Sequence, residues 1–141
     1  MERKIIALFG VANVGKTQTI KKAYELLISK YPNATKEIIR NNYDIQVIVT
    51  INGVKIGIES QGDPNSRLFD SIKLFVKVGC QVIICATRTK GATVKAVIDQ
   101  KPEYNVVWYK QKIDREEATQ KQSNLNMAET LIAETEKHMQ T

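Results

Sequence analysis

The sequence is poor in several features that define whole classes of protein. It has two cysteines and one histidine in 141 residues. Cys85 lies inside an apolar run, which favours buried, reduced thiols over a disulfide or a metal pair. We expect neither a metal ligand nor a catalytic base from the lone His138. No run approaches the roughly 20 apolar residues of a bilayer span, so no membrane segment is predicted.

Leader, repeat and linker patterns are also lacking. Residues 1–4 lead straight into an apolar run without a signal-peptide cleavage pattern, so we expect a cytosolic protein of one domain, residues 1–141. The net charge is +6, but the basic residues are scattered between acidic ones. This charge is compatible with nucleotide phosphates, a nucleic acid or an ordinary surface, and without basic and aromatic interleaving a nucleic-acid partner is not favoured.

What the sequence does contain is the stretch GVANVGKT at residues 10–17. An apolar run, Ile5 to Phe9, precedes it, and a helical pattern follows it. Glycine permits the strained backbone that wraps closely around a phosphate chain, and the N–H groups at the start of a helix attract an anion. The expected nucleotide-binding residues are Gly10, Asn13, Val14, Gly15, Lys16, Thr17, Gln18 and Gly62.

In this strand–loop–helix context the stretch is a complete Walker A sequence and resembles that of the P-loop NTPase superfamily. The resemblance implies that Lys16 bridges the β- and γ-phosphates and acts in catalysis. It also implies that the Thr17 hydroxyl binds a Mg²⁺ ion that spans the same two phosphates.

Residues 45–58 predict a β-hairpin. Ile45 to Ile51 is rich in β-branched residues, Asn52-Gly53 is a strong two-residue turn signal, and Val54 to Ile58 alternates on the return. A hairpin here resembles the translation-factor-like class of P-loop proteins, which contains the Ras-like GTPases. The resemblance implies an α/β three-layer sandwich, with a mostly parallel five-stranded sheet, an antiparallel edge hairpin and helices on both faces.

The remaining strands follow from apolar runs. Residues 82–86 are apolar without alternation, which predicts a central parallel strand buried on both faces. With strands also at 5–9 and 105–109, numbered along the chain, we predict the spatial order 2-3-1-4-5 and four flanking helices. The polar segment 33–42 is predicted to be a surface loop. In Ras-like GTPases the corresponding connection is the first switch, and Thr35 would be its magnesium-binding threonine.

An acidic residue closes the returning strand of the hairpin. Glu59 has the form of a Walker B carboxylate, which would hold the magnesium or act as a general base on the attacking water. Glu59-x-x-Gly62 also resembles the Asp-x-x-Gly element of GTPases, in which the glycine amide senses the γ-phosphate. The alternative is that Glu59 is the polar end of an exposed strand. Gln61 and Asp63 are reserve candidates for positioning water or the metal.

Arg88 follows the 82–86 strand, on the edge of the sheet where ligands bind in doubly wound folds. Arg88 or Lys90 would stabilise charge on the γ-phosphate, as a catalytic arginine does, or bind an anionic second substrate. The alternative is a solvated loop. Arg67 is a weaker candidate for the same role.

No Asn-Lys-x-Asp guanine-reading element follows the last strand, so ATP is the expected ligand and GTP the alternative. Residues 109–111 lie where a base would rest, although an aromatic residue such as Tyr109 more commonly belongs to a core. The terminal helix, with Asp114 as its expected cap, would cover the sheet or contact another copy of the chain.

These observations predict nucleoside triphosphate binding and Mg²⁺-dependent hydrolysis, with Lys16, Glu59 and Arg88 as catalytic residues and Thr17 and Glu59 at the metal. Two alternatives remain. One is a small-molecule kinase whose acceptor lies between residues 33–42 and the Arg88 loop. The other is a nucleotide-dependent switch or assembly protein, whose partner reads the loop near Gly62.

Overall fold

The computed structural model describes residues 2–11, 15–63, 66–112 and 116–139. These ranges contain six strands and four helices. None of the described helices has a stretch long and apolar enough to cross a bilayer. The strands are β1 (Arg3–Phe9), β2 (Thr35–Asn41), β3 (Ile45–Ile51), β4 (Val54–Glu59), β5 (Val82–Thr87) and β6 (Tyr104–Lys110). The helices are α1 (Lys16–Lys30), α2 (Leu68–Lys77), α3 (Ala92–Ile98) and α4 (Glu117–Met139).

Helices cover both faces of the sheet, as the alternation along β1 illustrates. Ile6 and Leu8 point to one face and share a core with α1 and α4. Ile5 and Ala7 point to the other face and share a core with α2 and α3. The α/β class and the placement of helices on both faces are therefore confirmed. α4 covers the sheet beside α1, and Asp114, its predicted cap, lies outside the described residues.

The sheet order is β2-β3-β4-β5-β1-β6, so the predicted order is wrong. We expected the strand at 5–9 to lie beside the strand at 54–58, but β5 separates them, parallel to both β4 and β1. The residues from Val82 to Ala86 are fully buried, because a strand between two others inside a three-layer fold has no exposed face. The apolar run indicated an interior strand without indicating which one.

β2 is the sixth strand and corrects the predicted surface loop at 33–42. All seven of its residues are exposed, so they carry no apolar alternation by which a strand could be recognised. Pairing with β3 maintains this edge strand. We had expected β3 itself at the edge of the sheet, but β2 lies outside it. Thr35 pairs with Thr50, beside the β3–β4 turn, at the opposite end of the strands from α1's amino end. This position does not support the switch role that the GTPase resemblance offered for Thr35.

The β3–β4 hairpin is confirmed and sets the direction of the sheet. Asn52 and Gly53 both have positive φ, 50° and 83°, as a type I′ turn requires. Because β3 runs antiparallel to β4, the amino end of β3 lies where β4 ends. The carboxyl ends of β1, β4, β5 and β6 meet at that same side, which we call the carboxyl edge. Residues just after those strands and just before β3 thus lie along the same edge of the sheet.

Candidate functional site

The loop between β1 and α1 begins at the carboxyl edge with a buried glycine. Gly10 N donates to Thr87 O at 3.2 Å, which ties the loop to the end of β5. Gly15 has a φ of 91° directly before the first helical residue, and glycine adopts this left-handed conformation cheaply. No side chain of the described residues caps α1 at this end. The first-turn N–H groups of α1 are therefore suited to an anion.

Of three further residues predicted to bind the nucleotide, only Gln18 lies within the described structure. Asn13 and Val14 lie outside the described residues, so their roles stay predictions. Gln18 is exposed on the first turn of α1. The predicted start of the first helix near Gly15 is confirmed.

Lys16 is buried at the base of this loop. Its Nζ donates to Gly10 O at 2.5 Å and to Thr87 O at 2.8 Å. Among the described residues no carboxylate forms an ion pair with it. Burial lowers the pKa of the ammonium to about 8, while the Asp63 carboxylate raises it and the Arg88 guanidinium lowers it further. Among the described residues, the charge of Lys16 is thus met by carbonyl dipoles, and the Asp63 carboxylate lies in its neighbourhood without forming an ion pair with it.

Thr17, the next residue, contacts an aspartate that the sequence analysis did not single out. Thr17 Oγ1 donates to Asp44 Oδ1 at 3.3 Å, and Ser60 Oγ donates to the same oxygen at 2.9 Å. Gln61 Nε2 reaches Asp44 Oδ2 at 3.4 Å. Asp44 is half-buried. All three donors are neutral, so Asp44 is solvated by dipoles in the same way as Lys16.

Asp44 reaches this position through the hairpin. It directly precedes β3, whose antiparallel pairing with β4 brings it to Ser60 at the carboxyl edge. Ser60 Oγ also accepts a hydrogen bond from Ile45 N at 2.8 Å. The β2–β3 turn is tied to α1, because Lys21 Nζ donates to the carbonyls of Asn42 and Tyr43, each at 3.1 Å. A carboxylate one residue before an antiparallel strand of a predicted hairpin was the available sequence signal.

Glu59 ends β4 and is fully buried. Arg67 donates to both of its oxygens, Nε to Oε1 at 2.8 Å and Nη2 to Oε2 at 3.0 Å. Ser71 Oγ also donates to Oε1, and Gln61 N donates to Oε2 at 3.0 Å. β5 separates β4 from β1, which corresponds to about 10 Å at the usual strand spacing. These contacts give Glu59 a structural role, and its metal and catalytic roles stay predictions.

The loop after β4 is pressed onto β5. A Cβ on Gly62 would lie 2.4 Å from Ala86 O, so only glycine permits this approach. The next residue, Asp63, accepts from Arg88 Nε at 2.9 Å in an ion pair that is partly exposed. Arg88 N in turn donates to Thr93 Oγ1 at 2.9 Å. Because both charges influence the pKa of Lys16, Arg88 and Asp63 share its neighbourhood.

On the β6 side, amide side chains flank the start of α1. Gln111 is buried, accepts from Thr19 Oγ1 at 3.1 Å and donates to Asn124 Oδ1 at 3.1 Å. Tyr109 packs against the core, and its hydroxyl donates to Glu134 at 2.6 Å. The core interpretation of Tyr109 is therefore confirmed. Whether Gln111 contacts a base stays a prediction.

An apolar pocket opens near the carboxyl edge on the α2–α3 side of the sheet. Its volume is ≈ 260 Å³. Phe9 and Trp108 meet there edge to face, with ring centroids 6.1 Å apart. Thr89, Val94 and Ile98 complete the lining. The pocket therefore borders both the end of β1 and the loop that carries Arg88.

Within the described residues no group of three or more His, Cys, Asp or Glu side chains is arranged to hold a metal. Magnesium commonly uses only one or two protein ligands and completes its shell with water and phosphate. Thr17 and Asp44 offer the hard oxygens that this ion prefers, so the residues fit it. Comparison with known families, curated proteins and solved structures gives no match.

Proposed function

We propose that this chain binds a nucleoside triphosphate at the loop between β1 and α1, with ATP favoured, and hydrolyses it with Mg²⁺. The P-loop interpretation of residues 10–17 is part of this proposal. The observation that carries it is the buried ammonium of Lys16, held at the amino end of α1 by two carbonyls. A desolvated cation that forms no ion pair among the described residues favours an anionic ligand, and a polyphosphate matches both the cation and the N–H groups beside it.

Hydrolysis of the γ-phosphate requires positioning and charge neutralisation more than covalent chemistry. A water oxygen forms a bond to the γ-phosphorus while the bond to the β–γ bridging oxygen breaks, which releases the diphosphate and inorganic phosphate. Lys16 and the loop N–H groups would bind the phosphate oxygens. When bound, Mg²⁺ supplies further charge neutralisation, with Thr17 as one of the residues that would hold it.

Two neighbours would complete the site. Arg88 would exchange its exposed ion pair with Asp63 for the γ-phosphate, because a surface pair contributes little and is readily replaced. Gln61, which contacts Asp44 and accepts from Arg67 N at 2.9 Å, would orient the attacking water. Glu59 could act as the base only after exchanging its contacts with Arg67 and Ser71.

The pocket beside Phe9 and Trp108 supports a second candidate, a small-molecule kinase whose acceptor is partly apolar. In that case the γ-phosphate passes to an acceptor hydroxyl rather than to water. The two candidates separate by product. Release of inorganic phosphate from ATP without any acceptor supports hydrolysis, whereas negligible release that small hydroxylated compounds convert into a phosphorylated product supports the kinase.

Replacement of Lys16 tests the site. We expect Lys16→Ala to weaken Mg–ATP binding at least about 100-fold, since a shielded ammonium–phosphate contact contributes roughly 3 kcal/mol. Isothermal titration measures the affinity. Lys22→Ala is the matched control on the same helix, because its side chain is exposed and pairs only with Glu25 in the described structure. Equal affinity of both variants for Mg–ATP would contradict the assignment of Lys16 to the phosphate site.

A further inference from the structure

We propose that Asp44, and not Glu59, is the carboxylate that holds the Mg²⁺ ion beside Thr17 when the nucleotide is bound. This inference rests on the proposed function and names the metal-binding carboxylate of that same site.

Glu59 and Asp44 differ in how their charges are compensated. Glu59 is already neutralised, because Arg67 binds both of its oxygens. In contrast, no Lys or Arg of the described residues forms an ion pair with Asp44. A half-buried carboxylate held only by neutral donors retains its attraction for a cation. Only one of the two carboxylates thus has its charge available for a metal.

The separation of the Thr17 and Asp44 oxygens suits a shared metal ion. Thr17 Oγ1 and Asp44 Oδ1 lie 3.3 Å apart. Two adjacent ligands of an octahedral Mg²⁺ ion, each about 2.1 Å from it, lie roughly 3.0 Å apart. The observed separation differs from that value by only a few tenths of an ångström. Rotation of the Thr17 hydroxyl proton away from Asp44 would turn both oxygens into acceptors for one cation.

Hydrogen bonds preorganise the Asp44 carboxylate beside Thr17. Ser60 Oγ accepts from Ile45 N and donates to Asp44, so backbone pairing fixes the donor that orients the carboxylate. Lys21 holds the turn before Asp44 against α1, the helix that also carries Thr17. Outer hydrogen bonds of this kind orient metal ligands and raise their affinity. Both oxygens are therefore positioned by hydrogen bonds within one connected unit.

The donor set also indicates the ion. One carboxylate and one hydroxyl are too few for Ca²⁺, which takes six to eight oxygen ligands, largely from the protein. They suit a small ion that keeps several waters and takes its remaining ligands from phosphates. Mn²⁺ can replace Mg²⁺ at oxygen sites and is visible by electron paramagnetic resonance, so it serves as the probe.

The experiment measures two affinities for each variant. ATP affinity in EDTA reports the phosphate site alone, and Mn²⁺ affinity of the ATP-loaded protein reports the metal ligands. For Asp44→Asn we expect an unchanged or tighter ATP affinity in EDTA and at least a tenfold loss of Mn²⁺ affinity. Glu59→Gln should keep the wild-type Mn²⁺ affinity. Asp99→Asn is the matched control, because Asp99 is exposed and pairs with Lys95 on α3.

Each outcome has one meaning. Wild-type Mn²⁺ affinity in Asp44→Asn, or a tenfold loss confined to a Glu59→Gln protein that circular dichroism shows to be folded, overturns the inference and leaves the proposed function intact. Failure of the wild-type protein to bind ATP with or without metal overturns the proposed function itself. If Asp44→Asn does not fold, Asp44→Glu keeps the charge and displaces the carboxylate by one methylene. An unchanged Mn²⁺ affinity in that variant also contradicts the inference.

Discussion

Two polar clusters lie side by side at the carboxyl edge and differ in the partners of their charged groups. In the cluster around Glu59, the Arg67 guanidinium pairs with the carboxylate, and both carboxylate oxygens accept hydrogen bonds from within the protein. In the cluster around Lys16 and Asp44, each charge is held by neutral groups, carbonyls for the cation and hydroxyls and an amide for the anion. The first cluster resembles a structural network, whereas the second suits a ligand that brings both a negative and a positive charge.

For these two carboxylates, the hydrogen-bond and ion-pair partners indicate the role better than membership of a sequence motif does. Glu59 occupies the position that a Walker B resemblance would assign to the metal, yet its hydrogen-bonding capacity is taken up internally. Asp44 belongs to no recognised motif, yet it contacts the Thr17 hydroxyl. A triphosphate would supply a negative charge beside Lys16, and its magnesium ion would supply a positive charge beside Asp44.

The largest expected effect on stability comes from breaking the ion pair between Glu59 and Arg67. Glu59→Gln leaves the Arg67 guanidinium, which is largely buried, facing an amide in place of a carboxylate. We expect the free energy of unfolding to fall by about 3 kcal/mol, measured by urea denaturation. Glu25→Gln, which removes an exposed partner of Lys22, should cost less than about 0.5 kcal/mol. A similar small loss in both variants would mean that the Glu59 cluster is not structural.

A smaller effect concerns the buried ammonium of Lys16. Because the pKa of Lys16 is lowered to about 8 in the folded protein, the unfolded chain binds more protons between pH 8 and about 10.5. The Lys16 contribution therefore raises stability with increasing pH in that window, by up to about 1 kcal/mol per pH unit.

The measurement is the pH dependence of unfolding for the wild-type protein relative to Lys16→Met. Subtraction cancels the opposing effect of Cys80 and Cys85, whose thiol pKa values burial raises to about 12. A flat difference between pH 8 and 10 would show that Lys16 is not desolvated.

The smallest expected effect is on the stability of Asp44→Asn. The amide keeps an oxygen that can accept from Thr17 and Ser60, and no buried cation is left unpaired. We expect the free energy of unfolding to change by less than about 1 kcal/mol. A loss comparable to that of Glu59→Gln would place Asp44 in a structural network and remove the contrast between the two clusters.

The sequence predicted those parts of the fold that depend on local pattern. The Asn52-Gly53 turn, the start of α1 and the buried run at 82–86 each carry a signal within a few residues. β2 carries none, because its exposed residues are held only by pairing with β3. The sheet order also depends on contacts between distant strands, and an apolar run cannot encode which neighbours it will have.

The candidate site was predictable to the same extent. Lys16 and Thr17 follow from one contiguous stretch, and their placement at the amino end of α1 depends only on local structure. Asp44 meets Thr17 across 27 residues of sequence, through the antiparallel direction of β3. Arg67, eight residues after Glu59, was considered as a phosphate ligand, but its guanidinium binds Glu59. Such pairings arise from tertiary structure, and the position of Asp44 directly before a predicted antiparallel strand was the one local sign of them.

The most direct test of the account is the thermal stability of the protein with ATP and with GTP, each with and without Mg²⁺. A ligand at 100 times its dissociation constant adds about 2.7 kcal/mol to the free energy of unfolding, which a melting curve detects readily. The account predicts a magnesium-dependent stabilisation by ATP that exceeds any effect of GTP. No stabilisation by either nucleotide, with or without Mg²⁺, would contradict it.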